Sequence, residues 1–487
     1  MNTELHADLT GASVALRHPW RTCVGSGHAT LALRADWQAQ LRQAKADLDF
    51  GYVRFHGLLD DDMGTLVCES DQFIYSFFNA DQIVDFLLSI GMRPIVELSF
   101  MPTTLSSGGE IVFHYRGNIT PPRDQAQWGE LMRRLAAHWV ERYGIDEVAQ
   151  WYFEVWNEPN IADFWTGGQL GYFQLYETTV NALKGVDKRL RVGGPVTANN
   201  GWIDEFQAFC AERKLPSDFI STHLYPTDAF GEIGADTETQ LEHAPPDLMR
   251  QKALEARRQA AGKPLLYTEW NITSNPRDPL HDSSFAAALA VRIAMSVDAL
   301  VDAYSYWTFS DIFEENYFPS VPFHGGFGLL NLYGIGKPVY QAFRFLALLG
   351  DRHYPVGQTD GNVVMWVGEA GQDAGTTQVL CINQAMPRHP IDTESIGLAL
   401  RCRPGQRVRA LSVRRIDEDH ANPARLWGQM GRPDYLSPGQ VEALRRESEP
   451  KAEALAFEAG ADGMLRLSFQ AAPQSVNLLQ IEWEPTA

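Results

Sequence analysis

Eight short apolar segments alternate with stretches of helical length between residues 24 and 350, and this alternation limits the possible folds more than any other feature of the chain. The strand candidates are 24–33, 51–59, 93–101, 150–157, 191–197, 219–225, 264–270 and 303–310. Between them, residues 37–47, 80–90, 128–143, 172–186, 203–213, 247–261 and 284–300 carry apolar side chains at helical spacing. Short apolar runs bounded by turn residues read as strands, and runs with a 3.6-residue period read as helices. Strand and helix in strict alternation imply parallel pairing, because each helix returns the chain to the same end of the sheet. Eight such units predict an α/β fold, a (β/α)8 TIM barrel.

After about residue 350 the texture changes. Segments 362–367, 376–383, 397–402, 408–414, 464–469 and 475–483 are short alternating runs separated by Gly, Pro, Asn and Asp. That pattern predicts an antiparallel β-sandwich. The expected division is a barrel over 17–348 and a sandwich over 349–487, the latter completed by a strand from 1–16. A charged insert at 417–450 holds one expected helix, 438–448. Gly334-Ile335-Gly336-Lys337 is only superficially a phosphate loop, since it lacks the following Ser/Thr and the strand–loop–helix setting.

Two glutamates end predicted strands in the same chemical company. Glu158 lies in Trp156-Asn157-Glu158-Pro159-Asn160, and Glu269 in Tyr267-Thr268-Glu269-Trp270-Asn271. Pro159 forces its predecessor out of helical geometry and stops the ladder, so Glu158 is held at a turn. Counting strands puts Glu158 at the end of strand four and Glu269 at the end of strand seven. Both therefore open onto the C-terminal face, where barrels of this kind keep their active sites. Two carboxylates among aromatic and amide groups are the minimum needed to cleave a glycosidic bond, provided one is protonated and the other ionised.

Composition narrows the partners. The chain has 487 residues and a formal net charge of −20, which disfavours nucleic acid and anionic membrane, both of which need clustered Lys and Arg. No apolar run reaches membrane-spanning length. Five cysteines, Cys23, Cys68, Cys210, Cys381 and Cys402, stand without CxxC or His-Cys ligand spacing, which gives the expectation of reduced thiols and no metal centre. The first twenty residues lack a basic start and an apolar run, so the expected location is cytoplasmic.

Taken together, these two glutamate segments, Phe55-His56-Gly57, Thr222-His223-Leu224-Tyr225-Pro226, Tyr306-Trp307-Thr308-Phe309-Ser310-Asp311 and Phe323-His324-Gly325-Gly326-Phe327-Gly328 resemble the β-xylosidases of glycoside hydrolase family 39. The likeness spans essentially the whole barrel. It implies a retaining, exo-acting hydrolase without metal or organic cofactor, acting on short xylo-oligosaccharides. It implies that Glu158 is the acid/base and Glu269 the nucleophile, and that Asn157 binds the sugar 2-hydroxyl. His56 and His223 are expected to bind substrate, Tyr225 to steady the nucleophile, and Trp307 to offer a face for the sugar ring. Glu314 and Glu315 are expected to hold hydroxyls of the terminal sugar, without a choice between them, and Phe113-His114-Tyr115 to rim the pocket. Cationic or donating neighbours are expected to lower the pKa of Glu269, whose charge in turn raises that of Glu158.

Three other readings are set beside this one. One is a family relative acting on a different glycone, α-L-iduronidase-like or with arabinosidase side activity; the iduronidase-like site needs Arg or Lys for a uronate carboxylate, and the strand ends named above offer Glu, His, Asn and Trp instead. An endo-acting barrel needs an open groove. A non-catalytic carbohydrate-binding barrel is expected to have lost one of the two carboxylates, and both are present.

Overall fold

The computed structural model describes residues 2–228, 236–315, 317–357, 361–369 and 375–485. Eight parallel strands close a barrel: β1 (Cys23–His28), β2 (Tyr52–His56), β3 (Arg93–Leu98), β4 (Tyr152–Val155), β5 (Arg191–Ala198), β6 (Ile220–Leu224), β7 (Leu265–Trp270) and β8 (Ala303–Tyr306). Each pairs with its neighbours in sequence, and β8 closes on β1 through Tyr306 and Val24. Around them run α1 (Ala35–Leu48), α2 (Phe78–Ser89), α3 (Gln125–Tyr143), α4 (Gly168–Val186), α5 (Ile203–Arg213), α6 (Leu248–Gln259), α7 (Ser284–Val297) and α8 (Pro338–Leu348). Helices cover the outer face and side chains fill the inner one, so the strands are buried almost throughout.

The helix α3 illustrates how local sequence sets these elements. Asp124 caps it, its side chain accepting from the Ala126 amide at 2.8 Å, which satisfies one of the orphan donors of the first turn. Trp128, Leu131, Met132, Leu135, Ala136 and Trp139 form one buried stripe at three- and four-residue spacing. Gly144, at φ +80°, ends it in a backbone region that suits glycine.

Most of the predicted barrel strands end sooner than expected, the first, fourth and eighth among them. The ladder between β1 and β2 ends with His28 opposite His56, so residues beyond have no partner, and Ala29–Leu33 coils into a 3-10 turn over the rim. Likewise β4 stops at Val155 and β8 at Tyr306. Trp156, Asn157, Glu158 and Trp307 thereby lie just past the strand ends at the C-terminal mouth, where the Glu158 and Trp307 amides still donate to the Val196 and Trp270 carbonyls.

Beyond the barrel lie two sheets. One runs Asn2–Asp8, Glu394–Arg401, Met464–Ala471, Phe457–Ala459; the other runs Val14–Ala15, Arg352–Tyr354, Val363–Glu369, Thr376–Asn383, Ser475–Trp483, Val408–Ile416, Glu453–Ala454. The expected antiparallel pairing has one exception: Asn2–Asp8 lies parallel to Glu394–Arg401. These strands are separated by the whole barrel, so no hairpin imposes antiparallel order. The helix Pro438–Ser448 forms with a full capping box at Ser437 and Gln440. Among the described residues, no helix is long and apolar enough to cross a membrane.

The larger sheet is buried on both faces. Along Thr376–Asn383, Val379 and Cys381 join the core between the two sheets, while Leu380 and Ile382 join the barrel core. Ser475–Trp483 repeats the pattern, with Leu479 and Ile481 on one side and Val476 and Leu478 on the other. Leu5, 3% exposed, carries the N-terminal strand into the core between the sheets. Leu5→Ala is expected to cost about 2–5 kcal/mol, read as a lower urea midpoint; a loss under about 0.5 kcal/mol, the usual effect of a surface substitution, would place this strand outside the core.

Candidate active site

The centre of the barrel mouth is organised by an arginine in the middle of β2. Arg54 is fully buried. Its Nε donates to Glu154 Oε2 at 2.6 Å, its NH1 to Glu269 Oε1 at 2.7 Å and its NH2 to Asn157 Oδ1 at 3.0 Å, with Glu97 Oε2 2.8 Å from NH2. Side chains alternate faces along a strand, so Arg54 and His56 point into the same barrel interior. His56 Nδ1 lies 2.7 Å from Glu97 Oε2, and its Nε2 lies 3.2 Å from Glu315 Oε1 and 3.7 Å from Glu269 Oε1. Burial works against a charge on His56, but Glu97 and Glu315 outweigh it and lift the imidazole to about 10. His56 is therefore a cation at neutral pH.

Glu269 ends β7 beside a register shift in both ladders of that strand, a local irregularity that re-aims its side chain. Its second oxygen accepts from the Tyr225 hydroxyl at 2.8 Å. Asn271 carries its side-chain amide to the Trp307 carbonyl and, at 3.3 Å, to the Phe327 carbonyl, tying the end of β7 to the segments after β8.

Glu158 sits in a loop whose backbone is held in the left-handed region at Trp156 (φ 75°) and at Glu158 itself (φ 42°). The loop is pinned to the end of β5 from two points. The Glu158 amide donates to the Val196 carbonyl at 2.9 Å, and Asn160 bridges both backbone groups of Ala198 at 2.9 and 3.0 Å. Glu158 Oε1 lies 2.8 Å from His223 Nδ1, whose Nε2 lies 3.2 Å from Thr268 Oγ1. Burial and the charges of Arg54 and His56 push His223 well below its ordinary value, so it stays neutral.

The two glutamates differ in acidity for physical reasons. Burial raises Glu158 well above the usual carboxylate range, and the charge on Glu269 adds to the shift. Burial raises Glu269 too, but Arg54, His56 and the Tyr225 hydroxyl pull it back. The expected net lowering of Glu269 is thus corrected: the stabilising neighbours are present, and burial exceeds them. What they secure is the order of ionisation, Glu269 before Glu158.

Trp307, 2% exposed, packs beside the His56 ring at 4.7 Å between centroids. Its indole fits only because β1 carries glycine opposite, where a Cβ on Gly25 would meet Trp307 at 2.3 Å. Glu158, Glu269, His56, Asn157, His223, Tyr225, Trp307 and Glu315 all line one cavity of ≈ 1040 Å³. Glu314 does not line it and turns instead to His28, its Oε1 2.9 Å from Nδ1. Phe113 lines the cavity, while the exposed His114 stacks on Tyr317 at 5.2 Å.

Arg54, Glu97 and Glu154 were missed by sequence reasoning that looked only at strand ends. Their signal is a charged residue inside an otherwise apolar strand, costly unless paired. Among the described residues, two groups have donor atoms near enough to hold a cation: His28 with Asp60 and Asp62, and Glu158 with His223 and Glu269. In the second the Arg54 guanidinium already faces Glu269; in the first the imidazole of His28 itself sits among the carboxylates.

One oxygen of Glu158, a ring nitrogen of His223 and one oxygen of Glu269 all lie within 4.8 Å of one another. That closeness suits carboxyl groups about 5–5.5 Å apart and not the wider gap of an inverting pair. A barrel with this pair at its C-terminal mouth is a glycoside hydrolase of retaining type. A sequence profile of the glycosyl hydrolases family 39 matches residues 4–465, and the chain belongs to that family. It is 44% identical over 466 residues to a β-xylosidase of Caldicellulosiruptor saccharolyticus, the match covering 95% of each chain. To a β-xylosidase of Geobacillus stearothermophilus it is 38% identical over 478 residues, 95% of this chain and 92% of that one. Among solved structures, a monomeric β-xylosidase from Caulobacter crescentus CB15 matches with a TM-score of 0.86 at 32% identity, covering 100% of both chains.

Replacing Tyr225 with Phe removes a hydrogen bond that favours the ionised form of Glu269. Glu269 then loses its charge at a higher pH, so the acid limb of the pH–rate profile is expected to move upward and kcat/KM to fall more at acid than at neutral pH. An equal loss at every pH would assign Tyr225 no part in tuning Glu269.

Proposed function

We propose that the protein is a retaining, exo-acting β-D-xylosidase that releases xylose from the non-reducing ends of xylobiose and short xylo-oligosaccharides. The observation that carries this reading is the unequal setting of the two glutamates. Glu269, bound to Arg54 and Tyr225, is the nucleophile; Glu158, beside neutral His223, is the acid/base. In the first step a Glu269 oxygen attacks the anomeric carbon while Glu158 gives its proton to the departing glycosidic oxygen. The ester that forms removes the charge from Glu269, which lowers the pKa of Glu158 and prepares it as a base. Glu158 then takes a proton from water, whose oxygen displaces Glu269 and regenerates the starting state.

Arg54 occupies Asn157 Oδ1, which leaves the Asn157 amide NH2 to donate into the cavity toward the sugar 2-hydroxyl. His56, Glu315 and Trp307 form the end that takes the terminal sugar. A cavity of ≈ 1040 Å³ suits a short oligosaccharide, being at the upper end of ordinary ligand sites. The boundary at 348/349 belongs to the same reading, with residues 17–348 catalytic and the sandwich bracing them. A cytoplasmic location is supported by the five cysteines, all unpaired.

A panel of nitrophenyl glycosides tests the glycone: β-xyloside, β-glucoside, α-arabinoside and α-L-iduronide. The iduronide is included because Arg277 lines the cavity. The β-xyloside is expected to dominate, and a faster rate on any other member would replace the xylosidase reading. Glu158→Ala is expected to retain cleavage of substrates with good leaving groups, at about 10²–10⁴-fold lower rates on poor ones, with azide restoring turnover. Equal loss on all leaving groups would remove Glu158 from the acid/base role. Glu269→Ala is expected to abolish turnover, and a 2-fluoro-xyloside to label Glu269 in the unaltered protein. A label on another carboxylate would reassign the nucleophile.

A further inference from the structure

Outside the reacting pair, one charged histidine ties together loops from four sides of the barrel mouth. His28 ends β1 and is 1% exposed. Its Nε2 lies 3.2 Å from Asp60 Oδ2 and 3.4 Å from Asp62 Oδ1, both in the loop after β2. Its Nδ1 lies 2.9 Å from Glu314 Oε1, in the loop after β8, with Thr30 Oγ1 2.8 Å from the same nitrogen. The ring stacks flat on Tyr115, from the loop after β3, with centroids 3.8 Å apart and planes 2° from parallel. Burial opposes a charge here, but the three carboxylates overcome it and raise His28 to about 11, so both ring nitrogens carry protons at neutral pH.

Asp60 is the fixed end of this arrangement. It is 4% exposed, and its other oxygen accepts from the Phe100 amide at 3.0 Å. The free end is Glu314, whose side chain is 20% exposed on the far side of His28. Its neighbour Glu315 points the other way, 8% exposed, with Oε1 3.2 Å from His56 Nε2 in the cavity wall. Glu314 and Glu315 are adjacent and reach opposite ways, one to His28 and the other to His56, so a tether on the first restrains the backbone that presents the second.

We propose that His28 is a positioning residue: through Glu314 it holds the loop after β8 so that Glu315 reaches His56 and completes the end of the cavity that takes the terminal sugar. The inference rests on the β-xylosidase reading above, and it moves Glu314 from substrate contact to support.

A double-mutant cycle tests it with nitrophenyl β-xyloside. His28→Gln and Glu314→Gln are each made alone and with Glu315→Gln, and rates are expressed per site titrated with the 2-fluoro-xyloside. Each single variant is expected to lose about tenfold in kcat/KM, mostly through KM. In the Glu315→Gln background, each is expected to add less than about twofold, because the path through Glu315 is already gone. Additive losses would overturn the proposal, as would a loss that disappears once rates are corrected for titrated sites. Glu314→Gln alters only the partly exposed partner of the same bond, so the cycle stands even if His28→Gln does not fold. If the unaltered protein does not cleave the xyloside, the xylosidase reading falls and this role falls with it; if it does and the cycle is additive, only this role falls.

Discussion

The active centre depends on one buried guanidinium. Arg54 binds Glu97, Glu154, Asn157 and Glu269 at once, so strands β2, β3, β4 and β7 meet at a single planar group. A planar fork with five donors can satisfy these acceptors in a fixed geometry, which a lysine ammonium cannot. Buried charge of this kind is weak evidence for stability, since desolvation offsets the attraction, yet removing one partner costs about 3–5 kcal/mol. Its consequence lies in position: the Glu269 carboxylate cannot rotate without breaking a bond to a group that the barrel wall holds rigid.

The same cation separates the two glutamates chemically. Both are buried, and burial alone drives both toward the neutral form. Arg54 and His56 stand on the side of Glu269, whereas Glu158 faces a histidine that these cations and burial keep neutral. This difference in surroundings is what supports the proposed roles, Glu269 in attack and Glu158 in proton transfer. The charge of His56 is sustained in turn by Glu97 and Glu315, so the site is a linked set of charges in which each ionisation is conditioned by its neighbours.

The sandwich packs against the barrel through its larger sheet. That sheet uses both faces of an alternating strand pattern, one toward the core between the sheets and one toward the barrel. Each face of its central strands is fitted to a different core, so a slip of one residue would exchange the two sets of side chains and lose the packing of both. The N-terminal strand, paired parallel to Glu394–Arg401, joins the start of the chain to the sheet built by its end, so the barrel segment lies between two sandwich segments in sequence.

The sequence alone determined the barrel, the sandwich and the two glutamates. Hydrophobic period and turn residues are local properties of the chain, and the strand count placed Glu158 and Glu269 on one face. His56, Asn157, His223, Tyr225 and Trp307 were legible because strand ends of such a barrel converge there. Arg54, Glu97 and Glu154 were not, because a charged residue within an apolar strand shows its partners only when distant strands close around it. Only the tertiary structure decided that Glu315 faces the cavity while Glu314 binds His28, a choice set by a residue 286 positions away in the chain. Only the tertiary structure, too, set the balance of charge around Glu269, since burial and the distances to Arg54 and His56 exist only once the barrel has closed.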